Sequence, residues 1–139
     1  MENTAILAPL FAQTFLIFIV WGVMYKVRVA YMVKNKIHPQ KVALKADAAE
    51  LLKPASAPAD NFNHQFEIPV LFYLIGILIY LTGAGAYDLY MMWGFVALRV
   101  VHSYIQIVPK NVMWRFRIYL ASTSLVWLLW ALVAYRLFA

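Results

Sequence analysis

Apolar residues in this chain run in four long stretches rather than in short alternating ones. The stretches cover about residues 4–25, 66–86, 89–108 and 117–135. Each is long enough for a helix to cross the hydrocarbon core of a bilayer, which takes about 20 residues. None alternates between apolar and polar residues as a strand of a membrane barrel does. The pattern therefore predicts four membrane-spanning helices.

The connections between the stretches predict how the helices are arranged. Gly83, Ala84 and Gly85 suit a tight turn, so the second and third spans should be neighbours. In the long polar connection over residues 26–65, we expect residues 27–33 to extend the first helix and residues 45–53 to form a short helix. Residues 54–58, with a proline at each end, should form a stiff connector. Short connections favour an all-α, up-down-up-down four-helix bundle, with residues 1–139 as a single domain.

Composition agrees with a membrane protein. Apolar residues make up 65% of the chain and charged residues 13%, against about 45–50% and about 25% in soluble domains. A core of 139 residues is too small to hide that much apolar surface from water. We therefore expect an integral membrane protein whose first partner is the lipid bilayer. The absence of cysteine excludes disulfides, thiolate metal ligands and a cysteine nucleophile.

Basic residues are concentrated beside the predicted spans. Ten lie in the first and third connections and none in the second: Lys26, Arg28, Lys34, Lys36, Lys41, Lys45, Lys53, Lys110, Arg115 and Arg117. By the positive-inside rule, both basic connections should be cytoplasmic and both termini should lie on the opposite side. The net charge of +6 is thus explained without nucleic acid, whose binding would need a soluble basic face.

The third stretch carries ionisable side chains at membrane depth. Arg99 and His102 share a helical arc of about 100° with Ser103 and Gln106. An ionisable group in hydrocarbon costs at least about 2.5–3.5 kcal/mol, so it persists where it pairs, lines a polar cavity or does chemistry. Because four short spans have little interior, we expect this face to lie near subunit boundaries in a closed homotrimer.

A second polar cluster, residues 61–69, precedes the second stretch and includes the carboxylate of Glu67. In the predicted topology it lies on the cytoplasmic side, together with Arg99, His102 and the basic third connection. A pocket there would be positive, with one carboxylate to orient an arginine. Such a pocket suits an anionic ligand, because arginine binds carboxylates in a bidentate manner.

These motifs resemble the membrane-associated proteins in eicosanoid and glutathione metabolism, a family of four-helix homotrimers with cytoplasmic glutathione sites between subunits. The resemblance rests on Asn63, Glu67, Pro69, the Arg99-x-x-His102 pair and Arg115. It implies that Asn63, Glu67, Arg99 and His102 bind glutathione and that Arg115 is the catalytic residue that stabilises its thiolate. It also implies transfer of glutathione to, or reduction of, a lipophilic small-molecule substrate that enters from the lipid.

The chain departs from the enzymatic members of that family in three places. Residues 59–62 contain none of the arginines that precede the asparagine there, and Gln106 stands where a tyrosine is common. Asn63 and Glu67 are four residues apart, whereas the enzymes usually show three. A second function therefore stays open: a non-catalytic membrane scaffold or accessory subunit with the same fold. A transporter is less well supported, because there is no inverted repeat and no pair of broken spans.

Structural roles are also open for the candidate residues. Glu67 and Arg99 would form an ion pair that fixes the register of two helices. His102 would be a core histidine whose hydrogen bonds are made within the protein. Arg115 would be an anchor at the membrane surface. We expect no metal site, since His64 and His102 lack a third ligand.

Overall fold

The computed structural model describes residues 2–139, and all regular structure in this part of the chain is helical. Short 3₁₀ turns lie at Glu2–Ile6, Pro39–Val42 and Lys53–Ala55. The α-helices of the described residues are α1 (Leu7–Lys34), α2 (Lys45–Leu51), α3 (Ser56–His64), α4 (Ile68–Thr82), α5 (Asp88–Ile107) and α6 (Val112–Phe138). The prediction of an all-α protein is confirmed, as are the extension of the first helix and the short helix that follows it.

Three helical stretches of the described chain are long and apolar enough to cross a membrane: Thr4–Lys34, Lys53–Thr82 and Val112–Phe138. The chain therefore has the helices of an integral membrane protein. The fourth predicted span, α5, is not in this set, because its polar residues lower its mean hydropathy. Those residues point inward: Arg99, His102, Ser103 and Gln106 are each at most 3% exposed, whereas Val100 and Val101 face outward.

The apolar core lies between α1, α4, α5 and α6. Phe72 of α4 stacks on Phe95 of α5 across the core, with ring centroids 4.3 Å apart. The two helices do not pack side by side, because each packs mainly against α1 and α6, so the prediction that the second and third spans are neighbours is wrong. The turn between them uses Gly83 at φ 102, a left-handed conformation that glycine adopts without a steric penalty. A Cβ atom at Gly76 would lie 2.7 Å from Cδ2 of Leu10, so the missing side chain lets α1 approach α4 closely.

The predicted connector over residues 54–58 is wrong. Pro54 lies in a 3₁₀ turn, and Ser56 already begins α3. Pro58 fits into the first turn of that helix, where its missing N–H removes no intrahelical hydrogen bond. A nine-residue helix therefore occupies the chain immediately before the second apolar stretch.

Two predicted boundaries also differ from the structure. The second apolar helix begins at Ile68 rather than at residue 66. Arg115 and Arg117 lie on α6 rather than in a loop, because this helix, capped by Asn111, begins at Val112, five residues earlier than predicted. The side-chain oxygen of Asn111 accepts a hydrogen bond from the backbone N–H of Trp114 at 3.1 Å, as an N-cap residue does.

Candidate functional site

A break in the chain between α3 and α4, at residues 65–67, shapes the polar region. Pro69 has no N–H to continue the helical hydrogen bonds, so α3 cannot run through into α4. The carbonyl of His64 at the end of α3 accepts hydrogen bonds from the N–H of Glu67 at 3.3 Å and from Nη2 of Arg99 at 3.4 Å. Arg99 thus places a positive charge at a helix C-terminus, which the helix dipole favours.

Two histidines, an arginine and a tyrosine line a cavity of about 180 Å³ beside this break. The ring of His102 lies 6.0 Å from that of His64 and 6.0 Å from that of Tyr119, measured between centroids. Residues from α3, α5 and α6 thus meet at one polar site. Its lining residues are His64, His102, Val112, Arg115, Phe116 and Tyr119. We call it the histidine cavity.

Glu67 contacts His64, one of the residues that line the histidine cavity. Its Oε2 lies 3.0 Å from Nδ1 of the imidazole, and the two side chains are 54% and 34% exposed. The alternative of an ion pair between Glu67 and Arg99 is wrong, because the carboxylate pairs with His64 instead. Within the described residues, Arg99 is joined to this pair through the backbone carbonyl of His64.

Arg99 lies behind the cavity wall and is fully buried. Its Nε and Nη1 atoms, and Nδ1 of His102, have no hydrogen-bond partner among the described residues. A buried polar group without a partner costs about 1–3 kcal/mol. The site therefore holds unused hydrogen-bonding capacity on two positively charged or protonatable side chains.

Asn63 is not brought to the histidine cavity. Its exposed side chain lines a second cavity, of about 120 Å³, together with Arg28 and Lys45. Of the five predicted site residues, His102 and Arg115 line the cavity, and Glu67 and Arg99 each contact His64 in its wall. The ligand role of Asn63 stays a prediction, and its position is separate from the other four.

A family model, that of the MAPEG family, matches residues 6–135 of the chain. The chain belongs to the MAPEG family. Neither the curated proteins nor the solved structures yielded a match. The resemblance inferred from the motifs is confirmed, and with it a MAPEG-like membrane protein. What this MAPEG protein does with its polar site has to be argued from the residues of the site.

A network of buried amide side chains in this MAPEG protein was not predicted. Nε2 of Gln65 donates to Oδ1 of Asn61 and to Oγ of Ser103, both at 3.2 Å. Gln13 donates to Oε1 of Gln65 at 2.9 Å, and Asn61 donates to Oε1 of Gln106 at 2.8 Å. All five side chains are buried. The network fixes α3, and with it His64, against α1 and α5.

Sequence patterns could have indicated two of the site residues that were missed. His64 precedes Glu67 by three residues, which is the spacing usual between the asparagine and the glutamate of the enzymatic MAPEG members. Tyr119 lies four residues after Arg115 and therefore on the same face of α6. Gln13 had no such signal, since it is a lone amide in an apolar run.

An apolar groove of about 540 Å³ runs between α1 and α5. Among the described residues, it shares no lining residue with the histidine cavity. Ser103 lies in its wall and also belongs to the amide network. The groove is lined by Ala12, Phe15, Leu16, Ile19, Val20, Val23, Val96, Val100, Ser103, Tyr104, Ile107 and Val108.

Proposed function

We propose that this MAPEG protein binds glutathione, or a similar anionic thiol, at the histidine cavity for transfer to or reduction of a lipophilic electrophile. The observation that carries the proposal is the meeting of Arg115, His64 and His102 at one cavity, beside the unused donors of Arg99. Family membership over residues 6–135 supports the same ligand class.

The residues of the cavity fit the chemical groups of an anionic thiol. Glutathione supplies a thiol, a free ammonium group and two carboxylates. The exposed carboxylate of Glu67, beside His64, can accept hydrogen bonds from the ammonium group, and the guanidinium of Arg115 suits a negative charge. The cavity, at about 180 Å³, is smaller than typical ligand pockets of about 300–1,000 Å³. It therefore suits the cysteinyl part of the tripeptide rather than the whole molecule.

Arg115 is the residue that we assign to the thiolate. Its half-buried side chain lines the cavity, where its charge is less screened than at an open surface. A free thiol has an ordinary pKa of about 8.5, so little of it is ionised at neutral pH. A nearby guanidinium lowers the pKa of a thiol and so raises the share of the nucleophilic thiolate.

We further propose that a closed homotrimer of four-span protomers completes the site. Arg99 is already fully buried within one protomer, so the polar face of α5 does not by itself require a neighbouring copy. The small size of the cavity supports a trimer, because a neighbouring copy would add a wall to it. The apolar groove between α1 and α5 is the candidate entry for a lipophilic second substrate.

A non-catalytic scaffold is the second candidate function, and one observation favours it. The polar face of α5 is covered inside the protomer by α3 and the amide network, as a purely structural role requires. The exposed apolar faces of α1 and α6 would then contact partner proteins.

Calorimetry on the purified protein in nanodiscs distinguishes the two functions. We expect glutathione to bind at millimolar concentration or below. An analogue with a methyl group in place of the thiol serves as the matched control, and it should bind without forming a thiolate. If glutathione does not bind at millimolar concentration, the enzyme proposal is overturned and the scaffold is favoured.

A further inference from the structure

We propose that His64, held by Glu67, accepts the proton of the bound thiol. The inference rests on the proposed function and deepens it, because it assigns the proton of the reaction to one side chain. The motif resemblance gives the residues before the second apolar helix a binding role only, and it does not include His64.

The contact with Glu67 determines which nitrogen of His64 is free. Because Nδ1 lies 3.0 Å from a carboxylate oxygen, the neutral ring carries its proton on Nδ1 and leaves Nε2 as the acceptor. The ring lines the histidine cavity. Arg99 contacts the backbone carbonyl of the same residue, and the adjacent Gln65 belongs to the amide network. The acceptor atom is therefore held by both its side chain and its backbone.

His102 lines the same cavity but is a poorer proton acceptor. It is 1% exposed, and its Nδ1 has no partner among the described residues. An imidazolium at His102 would be buried without a counter-charge, which is costly. An imidazolium at His64 would be balanced by the carboxylate of Glu67.

The groups around His64 stabilise the two charges that the proton transfer produces, which are the imidazolium of His64 and the thiolate of the ligand. They come from the segment before α4, from α5 and from α6: Glu67, Arg99, His102, Arg115 and Tyr119. The carboxylate of Glu67 stabilises the protonated form of His64. The guanidinium of Arg115 stabilises the negative charge on sulfur. The two products of the proton transfer are thus each placed beside an opposite charge.

The proposed step leaves atoms and charges balanced. His64 takes up the proton on Nε2 as the S–H bond breaks, and the electron pair stays on sulfur. It returns the proton to the leaving anion after the sulfur–carbon bond has formed and the bond to the leaving group has broken. The imidazole is then neutral again and ready for the next substrate.

The test uses the full chain in nanodiscs with glutathione as the probe and the variant His64→Asn. An asparagine side chain keeps a hydrogen-bonding atom near the place of Nδ1, so the contact with Glu67 can persist, but it has no counterpart of Nε2. Calorimetry gives the affinity, and ultraviolet absorbance of the thiolate gives its ionisation across pH. We expect a threefold or smaller change in affinity, about 0.7 kcal/mol, and at least about tenfold less thiolate at neutral pH.

Two further variants complete the experiment. Glu67→Gln removes the negative charge and should lower the amount of thiolate in the complex. His38→Asn is the control, because Nδ1 of His38 is also hydrogen-bonded, here as the acceptor from the N–H of Gln40, but the residue caps the 3₁₀ turn after α1, outside the residues that line the histidine cavity. This control should leave both affinity and thiolate unchanged.

Each outcome decides between the proposals. If His64→Asn binds glutathione and forms as much thiolate as the unchanged protein, the role of His64 is overturned and the proposed function stands. If His64→Asn fails to fold or to bind, the amount of thiolate per bound glutathione in Glu67→Gln, measured at saturating glutathione, decides: a loss supports the proposal and an unchanged amount overturns it. If the unchanged protein does not bind glutathione, both the function and this inference are overturned.

Discussion

The guanidinium groups of Arg99 and Arg136 are held in two different ways. Nη2 of Arg136 donates to Oδ2 of Asp88 at 2.7 Å, and that buried carboxylate also accepts from the N–H of Gly85 at 2.8 Å. Arg99 contacts a backbone carbonyl instead and keeps two nitrogens without a partner among the described residues. Arg136 forms an ion pair with Asp88, whereas Arg99 keeps hydrogen-bond donors that a ligand could use.

Replacing each arginine by methionine should separate these roles. Arg136→Met leaves the carboxylate of Asp88 buried without a counter-charge, so we expect a loss of about 3 kcal/mol in the free energy of unfolding. Arg99→Met removes two unpartnered donors together with one helix-end contact, so we expect a change within about 1 kcal/mol. Thermal unfolding in nanodiscs measures both. A loss in Arg99→Met as large as that in Arg136→Met would show that Arg99 is structural.

Arg115→Ala tests the residue assigned to the thiolate. The side chain lines the cavity without contributing to the apolar core, so the protein should fold normally. Turnover with a lipophilic electrophile should fall by about 100-fold, with a much smaller change in glutathione affinity, because the charge acts on the thiolate.

The neighbouring arginine supplies the control for that variant. Arg117 lies over the ring of Trp114 at 5.3 Å, outside the residues that line the cavity. Arg117→Ala should keep its turnover. Equal losses in both variants would indicate a general effect of positive charge at the membrane surface.

At the scale of elements, Gln65 joins three helices, and its removal should loosen all of them. Gln65→Leu removes the hydrogen bonds of this side chain to Gln13, Asn61 and Ser103, and we expect a loss of about 3 kcal/mol in the free energy of unfolding, at roughly 1 kcal/mol for each buried hydrogen bond. Gln40→Leu, at an exposed position, is the control and should change stability little. A fully stable Gln65→Leu protein would contradict a structural role for the network.

The polar face of α5 could be predicted because it depends on helical periodicity alone. Arg99, His102 and Gln106 fall on one arc in the sequence, and the structure buries all three. No contact with another helix is needed to infer that such a face turns inward.

The helix that covers this face could not be predicted in the same way. Residues 56–64 are polar and lie among prolines, so their local propensity favours a connector. Their helix depends on contacts with α1 and α5, such as the hydrogen bond from Asn61 to Gln106, and these contacts are invisible in a linear pattern. The same reason explains why the motif resemblance points to Asn63 rather than to His64: it rests on the residue type, which does not tell which face of α3 meets α5.

For the whole molecule, the distribution of basic residues predicts which side faces the cytoplasm. The chain has no cysteine, so single cysteines can be introduced directly at Ala84, between α4 and α5, and at Ala48, in α2. An impermeant reagent added to intact cells should label Ala84→Cys and should label Ala48→Cys only after the cells are opened. Labelling of Ala48→Cys from outside would place the histidine cavity on the wrong side for cytoplasmic glutathione.

The assembly is a second prediction at this scale. Native mass spectrometry from nanodiscs should show three copies, because a closed ring of identical contacts would extend the small histidine cavity of each protomer. Glutathione should stabilise the trimer if it binds between copies. A folded monomer that binds glutathione with unchanged affinity would show that one protomer forms the whole site.

The break after α3 leaves α4 with only 15 residues, or about 22 Å of helix, against a hydrocarbon core of about 30 Å. If α4 crosses the membrane, the bilayer around it becomes thinner, or the histidine cavity lies below the level of the lipid headgroups. Bilayer thickness then controls how easily water and its solutes reach His64 and Arg115. A thick, sterol-rich membrane would act as a barrier above the cavity, whereas a thin one would open it to the aqueous phase.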